Sequence, residues 1–207
     1  ADGRRFLFIY TAGLDGFLHE HIKNTTAVGR KLQEIAARTI QLYEQAGKYA
    51  DQVNFTIFSD HGMTPLTGTV NLMEAIESQG VVFGRDYGAC FDSTMARFYL
   101  LTGRGREAVS AVLETFRDCG HTLRKEEEIK YGIYRSDRLF GDRIFLLNPG
   151  LQMIPSDMAS QPLPGMHGFS PEDIHSHAAL LSNTPIPEIV QRVADYFHLM
   201  QERALAL

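Results

Sequence analysis

The sequence predicts an α/β fold in which a mainly parallel sheet is flanked by helices and carries a small inserted α+β lobe. Three observations predict it: a strand-like apolar run at residues 6–10, a long helical pattern at residues 25–47, and a second strand-like run at residues 53–58. A strand, a helix and a second strand in this order are typical of a right-handed βαβ unit. In parallel sheets of this kind, functional side chains gather at the carboxyl ends of the strands.

The first strand is indicated by five consecutive apolar residues with aromatic and β-branched side chains at positions 6–10. Residues 11–21 are expected to form a glycine-containing loop that is rich in potential metal ligands. The helix after it is indicated by apolar residues that recur near helical spacing: Val28, Leu32, Ile35, Ala36, Ile40, Leu42 and Tyr43. The second strand should stop at the polar segment Ser59-Asp60-His61-Gly62, which places Asp60 and His61 at a strand end.

The pattern of predicted strands and helices changes in the middle of the chain. We expect residues 84–142 to form the inserted lobe within a single domain over residues 1–207. A short helix capped by Asn71 should precede this lobe. Inside the lobe, the pattern predicts a strand at 95–101, a helix at 106–119 and a short strand at 121–124. The remaining elements are a segment at 143–147 that returns the chain to the core, a last strand at 178–182 and a helix at 187–205.

Composition places the chain among ordinary globular proteins and argues against several partners. Of its 207 residues, 44% are hydrophobic and 22% are charged, and its formal net charge of −5 argues against a nucleic-acid surface. No apolar run approaches the 18 or so residues that predict a membrane span. The apolar run at residues 6–10 is also too short to predict a signal peptide, so the sequence assigns no compartment.

Three clusters of potential metal ligands stand out. Asp15 and His19 have a DxxxH spacing, Asp60 and His61 are adjacent, and His167 lies between Gly165-Met166 and Gly168. Carboxylate oxygens and neutral imidazoles are ligands that zinc prefers. Asp15 and His19 can meet one ion if their segment becomes helical. Each cluster alone is more typical of surface polar pairs, but together, in this order and after these strands, they indicate a metal site.

These segments resemble the alkaline phosphatase superfamily, and in particular its type I phosphodiesterase / nucleotide pyrophosphatase branch. The residues that carry the resemblance are Tyr10-Thr-Ala-Gly-Leu-Asp15 with His19, the block Ser59-Asp-His-Gly-Met63, and Gly165-Met-His-Gly168. The similarity extends from about residue 6 to residue 182. It implies an alkaline phosphatase-like core that is incomplete at its N-terminus.

The resemblance also implies two zinc ions per complete enzyme. Asp15, His19 and His167 would hold one ion as a complete three-ligand set, and Asp60 and His61 would hold part of the second. The family's Thr or Ser nucleophile and one further Asp lie upstream of the DxxxH segment, so this chain is expected to lack the catalytic nucleophile. Thr11 is the nearest upstream hydroxyl group, but it does not stand in the family's nucleophile context.

The expected function is that of a zinc-dependent phosphodiesterase or nucleotide pyrophosphatase. Its partners would be a small phosphate ester or nucleotide and the missing N-terminal part of the same fold. Because that part would supply the nucleophile, this chain alone could be inactive. Two alternatives remain: a phosphomonoesterase or phosphonate hydrolase of the same superfamily, and a metal-stabilised binding module without turnover.

Overall fold

A computed structural model describes residues 5–205, which divide into two compact units. Unit 1 comprises residues 5–62 and 178–205, and unit 2 comprises residues 63–177. In chain order the elements are α1 (Gly13–His21), α2 (Thr25–Ala46), β1 (Thr56–Phe58), β2 (Thr64–Pro65), β3 (Gly68–Val70), α3 (Leu72–Glu77), β4 (Tyr87–Phe91), β5 (Met95–Leu100), α4 (Gly103–Thr115), β6 (Gly120–Thr122), α5 (Lys125–Lys130), β7 (Arg143–Leu147), β8 (Leu151–Met153), β9 (Gly165–Met166), β10 (Leu180–Ser182) and α6 (Tyr196–Leu205).

The two helices that open unit 1 correspond to one correct and one incorrect prediction. The long helix predicted at 25–47 is confirmed as α2, and the side chain of Asn24 caps it by accepting a hydrogen bond from the Ala27 amide at 3.0 Å. The loop predicted at 11–21 is wrong, since α1 occupies most of it. Thr11 helps to start α1, because its Oγ1 accepts a hydrogen bond from the Gly13 amide at 3.2 Å.

Strand pairing is the main point on which the sequence prediction needs correction. The strand predicted at residues 6–10 is absent: these residues have no regular secondary structure, pair with no strand among the described residues, and have largely exposed side chains. β1 is only three residues long and pairs antiparallel with β10. Of the six strand pairs in the described part of the chain, only β3 with β8 is parallel. The α/β character is present, but apolar patterning does not encode strand direction, which depends on how the connecting chain returns.

Unit 2 is built around a four-stranded antiparallel sheet with the order β4-β5-β7-β6. The segment 143–147, expected to return the chain to the core, is β7: it pairs with β5 and β6, and its Phe145 and Leu147 are buried in the core. α4 packs against β5 and α3. The fully buried side chains of the unit's core include Leu72, Ile76, Tyr87, Phe98, Val109, Phe145, Leu147 and Met153. The boundaries 84–142 for an inserted lobe stay a prediction.

Local capping and close contacts set several element boundaries differently from the prediction. α4 begins at Gly103 rather than at residue 106, because the Thr102 hydroxyl accepts a hydrogen bond from the Gly105 amide at 3.0 Å. The C-terminal helix begins at Tyr196, after a 3-10 turn at Val193–Asp195, rather than at residue 187. No helix within residues 5–205 is both long enough and apolar enough to cross a bilayer.

Candidate metal centre

The first carboxylate–imidazole pair lies on α1. Asp15 is in the first turn of this helix and His19 in the last, so four residues of helical spacing place them on the same face. Oδ1 of Asp15 is 3.5 Å from Nε2 of His19. The side chain of His19 is largely buried and that of Asp15 is half-buried. The sequence analysis required this segment to be helical if Asp15 and His19 were to bind one ion, and α1 is that helix.

The second pair follows β1 directly. Oδ1 of Asp60 is 3.5 Å from Nε2 of His61, and the Asp60 side chain is largely exposed. Nδ1 of His61 lies 2.8 Å from the carbonyl oxygen of Gly62. Since a carbonyl oxygen only accepts, Nδ1 must carry the proton in the neutral imidazole, which leaves the lone pair on Nε2. That tautomer can coordinate a metal ion through the nitrogen that faces Asp60.

Hydrogen bonds between Ser59 and Ala179, the residue before β10, hold the chain between β1 and Asp60. The Ser59 amide donates to the carbonyl oxygen of Ala179 at 3.0 Å, and the Ala179 amide donates to the Ser59 hydroxyl at 2.9 Å. This double contact extends the β1–β10 pairing by one residue. Ser59 thus has a structural role that the sequence did not indicate, because its partner lies 120 residues away.

His167 lies in unit 2, immediately after β9. Met166 pairs with Thr64 of β2, and both residues are buried, so the backbone that leads into His167 is fixed. Gly168 follows with φ = 90°, a left-handed conformation that glycine adopts without strain. Gly168 also permits a close approach, because an added Cβ would lie 2.8 Å from Oγ1 of Thr94.

The three residues predicted to hold one ion, Asp15, His19 and His167, come from both units. Asp15 and His19 belong to unit 1 and His167 to unit 2. The convergence of all five predicted ligands at one sheet edge stays a prediction, as does the division of those ligands between two ions.

A separate cleft of about 470 Å³ lies in unit 2, and none of the five predicted ligands lines it. Basic side chains line much of this cleft, and two of them are ion-paired: Arg135 with Asp137 and Arg138 with Asp142. The Asp137 carboxylate has its pKa lowered to about 2, first by the hydrogen bonds from Arg135. Because none of the predicted ligands lines this cleft, we define the candidate metal site by its ligands and not by this cavity.

The fold and part of the sequence both resemble known hydrolases. The type I phosphodiesterase / nucleotide pyrophosphatase family model matches residues 2–170, a range that includes all five predicted ligands. No curated protein matches the chain. Among solved structures, murine ectonucleotide pyrophosphatase / phosphodiesterase 5 is 18% identical with a TM-score of 0.71, and the similarity covers 92% of this chain and 52% of that one.

Two other solved structures extend the comparison. Human ectonucleotide pyrophosphatase / phosphodiesterase 5 is 18% identical with a TM-score of 0.71, over 92% of this chain and 51% of that one. Phosphonoacetate hydrolase from Sinorhizobium meliloti, in complex with phosphonoformate, is 18% identical with a TM-score of 0.52, over 73% of this chain and 42% of that one. At these identities the likeness shows a common fold, and the chain spans about half the length of these structures or less. Because the family model matches most of the chain, this protein belongs to the type I phosphodiesterase / nucleotide pyrophosphatase family.

Proposed function

We propose that this chain carries the metal-holding part of a zinc-dependent phosphoric ester hydrolase of the phosphodiesterase / nucleotide pyrophosphatase type. The observation that carries the proposal is the pair of aspartate–histidine contacts, Asp15 with His19 and Asp60 with His61, in a chain of this family. Both contacts join a carboxylate oxygen to an imidazole nitrogen at 3.5 Å. Two ligand atoms on one tetrahedral zinc ion, each about 2.0–2.2 Å from it, are roughly 3.4 Å apart. The spacing of each pair therefore fits two ligands of a common ion.

The ligands divide into two sets in this proposal. Asp15, His19 and His167 bind one zinc ion and leave a fourth position open, which is the pattern of a catalytic site. Asp60 and His61 contribute to a second zinc site. When bound, the zinc ions would supply Lewis-acid stabilisation for the phosphoryl oxygens and the leaving group. The role of the protein's own residues is to hold the imidazoles in the correct tautomer, as the Gly62 carbonyl oxygen does for His61.

The nucleophile belongs to a part of the fold that this chain does not include. The resemblance assigns it to a Thr or Ser that precedes the DxxxH segment by a long stretch of chain. The similar solved structures are about twice as long as the matched region, which leaves room for such a segment. Thr11 is not the proposed nucleophile, because it does not stand in the family's nucleophile context; its Oγ1 accepts a hydrogen bond from the Gly13 amide at the start of α1.

A nucleotide phosphodiester is the substrate class that we favour. One solved structure of the murine neighbour is an inactive form in complex with AMP, and its likeness covers 91% of this chain with a TM-score of 0.69. A phosphonate hydrolase of the same superfamily is the second candidate, supported by the phosphonoacetate hydrolase neighbours. Their likeness covers 73% of this chain with TM-scores of 0.52 and 0.53, so it is the weaker of the two.

The experiment uses a longer protein that contains this chain together with the upstream half of the fold. Hydrolysis of a nucleotide phosphodiester and release of phosphate from phosphonoacetate are measured with zinc present and after chelation. We expect zinc-dependent cleavage of the phosphodiester and its loss in the His61→Ala variant. Preferential cleavage of phosphonoacetate would favour the second candidate. Zinc binding without turnover of either substrate would instead favour a binding module.

A further inference from the structure

The backbone around His167 is held from both sides within unit 2. On the N-terminal side, Met166 pairs with Thr64, and the Leu66 amide donates to the carbonyl oxygen of Pro164 at 2.9 Å. On the C-terminal side, the hydroxyl of Thr94 donates to the carbonyl oxygen of Gly168 at 2.8 Å. His167 thus lies between a strand pair and a single side-chain hydrogen bond.

Thr94 is itself a rigid donor. It is almost fully buried, with 2% of its surface exposed. Its own carbonyl oxygen accepts a hydrogen bond from the Leu147 amide at the end of β7 at 2.9 Å, and the next residue, Met95, begins β5. The hydroxyl is therefore presented from the start of β5, one of the two central strands of the four-stranded sheet. A hydrogen bond from such a donor can fix the orientation of the peptide group that accepts it.

Gly168 is adapted to this contact. Its φ of 90° lies in the left-handed region, and a Cβ added there would lie 2.8 Å from Oγ1 of Thr94. The next residue, Phe169, is buried in the main core cluster, so the chain cannot relax by moving outward after the glycine. The direction in which the His167 side chain leaves the backbone depends on the peptide planes on either side of it, and Thr94 contacts the carbonyl group one residue further along.

We propose that Thr94 is a positioning residue for His167, and that its hydrogen bond to the Gly168 carbonyl oxygen holds the backbone in the conformation that aims the imidazole at the metal ion. This inference rests on the proposed function, because it takes His167 as a zinc ligand. Replacing a residue that orients a metal ligand without touching the ion commonly lowers metal affinity by 10- to 100-fold. Thr94 acts in this way through the main chain rather than through the imidazole ring.

The test measures zinc affinity of the full 207-residue chain by competition with a chromophoric chelator, together with the melting temperature of the metal-free protein. Thr94→Val keeps the shape of the side chain and removes the hydroxyl, and we expect it to weaken zinc binding by about 10-fold or more. Thr94→Ser keeps the hydroxyl, and we expect affinity within about threefold of the unmodified chain. If Thr94→Val does not fold, Thr94→Ala takes its place, and we expect it to weaken zinc binding by the same amount.

A matched control separates positioning from loss of stability. Thr102 is another threonine of unit 2 whose hydroxyl makes structural hydrogen bonds: it donates to Oδ1 of Asp86 at 3.2 Å and accepts from the Gly105 amide at 3.0 Å, away from the segment around His167. Thr102→Val should lower the melting temperature and leave zinc affinity unchanged. Equal losses of affinity in Thr102→Val and Thr94→Val would overturn the proposal, and so would unchanged affinity in Thr94→Val.

His167→Ala distinguishes failure of this inference from failure of the proposed function. If His167→Ala binds zinc as tightly as the unmodified chain, the ligand assignment itself is wrong. If His167→Ala loses tight binding and Thr94→Val does not, the ligand assignment stands and Thr94 has only a structural role. Cobalt(II) in place of zinc adds a spectroscopic readout, because a displaced imidazole changes the visible absorption of the ion. We expect the Thr94→Val spectrum to differ from that of the unmodified chain and the Thr94→Ser spectrum to match it.

Discussion

Asp15 and His19 lie one turn apart on α1, with Oδ1 of the first 3.5 Å from Nε2 of the second. The helix provides this arrangement without long-range contacts, because residues i and i+4 share a face. Asp60 and His61 are adjacent in sequence, and in the bend that follows β1 Oδ1 of Asp60 also lies 3.5 Å from Nε2 of His61. Two unrelated local geometries thus give carboxylate–imidazole pairs of equal spacing.

The two proposed sites should differ in metal affinity. Asp15, His19 and His167 supply three ligands, whereas Asp60 and His61 supply two, so we expect about one tightly bound zinc ion per chain rather than two. His167→Ala should weaken that binding by more than about 100-fold, since loss of a ligand should exceed the effect of losing a supporting residue. His61→Ala should retain most of the tight zinc binding. Calorimetric titration of both variants checks this, and the opposite result would show that the ligands are assigned to the wrong ions.

The isolated chain should hydrolyse aryl phosphodiesters at least about 10³-fold more slowly than a protein that also contains the upstream half of the fold. The reason is that this chain is proposed to contribute metal ligands and is expected to lack the nucleophile. A spectrophotometric assay with zinc present compares the two proteins, and Asp60→Asn in the longer protein provides the control for metal dependence. Equal turnover by the isolated chain would reveal a nucleophile within residues 1–207.

Gly105→Ala should destabilise unit 2 by about 3 kcal/mol or more, because its Cβ would lie 2.0 Å from the carbonyl oxygen of Asp86 and neither backbone can move away cheaply. Gly103→Ala in the same helical turn has no atom within 4 Å of its Cβ. That variant should be neutral or stabilising, within about 1 kcal/mol. Urea denaturation of both proteins provides the comparison, and equal effects would argue against the close approach of α4 to Asp86.

Removal of the Glu127 carboxylate should weaken the start of α5 in a pH-dependent way. Hydrogen bonds from the Arg124 amide and guanidinium lower the pKa of Glu127 to about 2, from an ordinary value of 4.5. Because the folded-state pKa is depressed, the stabilisation is fully present above about pH 4.5 and is lost as the pH falls toward 2. Glu127→Ala should cost about 1 kcal/mol at neutral pH, and this difference should shrink over that interval.

The control for this effect is Glu126→Ala, which removes an acidic neighbour in the same helical turn. Melting temperatures of both variants from pH 7 to pH 3 are compared with those of the unmodified chain. A constant difference for Glu127→Ala across this range would show that the carboxylate charge does not contribute.

The sequence by itself determined the elements that depend on local pattern, and it predicted the candidate metal ligands. The periodicity of α2, the Asn71 cap of α3 and the strand at β5 all follow from neighbouring residues, and the structure contains them. The family was also recognisable from the sequence, because the spacing Asp15 to His19 and the block around Asp60 and His61 are local features, and the family match over residues 2–170 confirms it.

Only the tertiary structure decided which strands pair, in which direction, and what supports the ligand segments. β7 joins β5 and β6, β1 runs antiparallel to β10, and residues 6–10 pair with no strand within residues 5–205. Thr94 reaches Gly168 across 74 positions, and Ser59 reaches Ala179 across 120. Such contacts depend on how distant segments pack, and apolar periodicity records only that a face is buried, not which partner buries it.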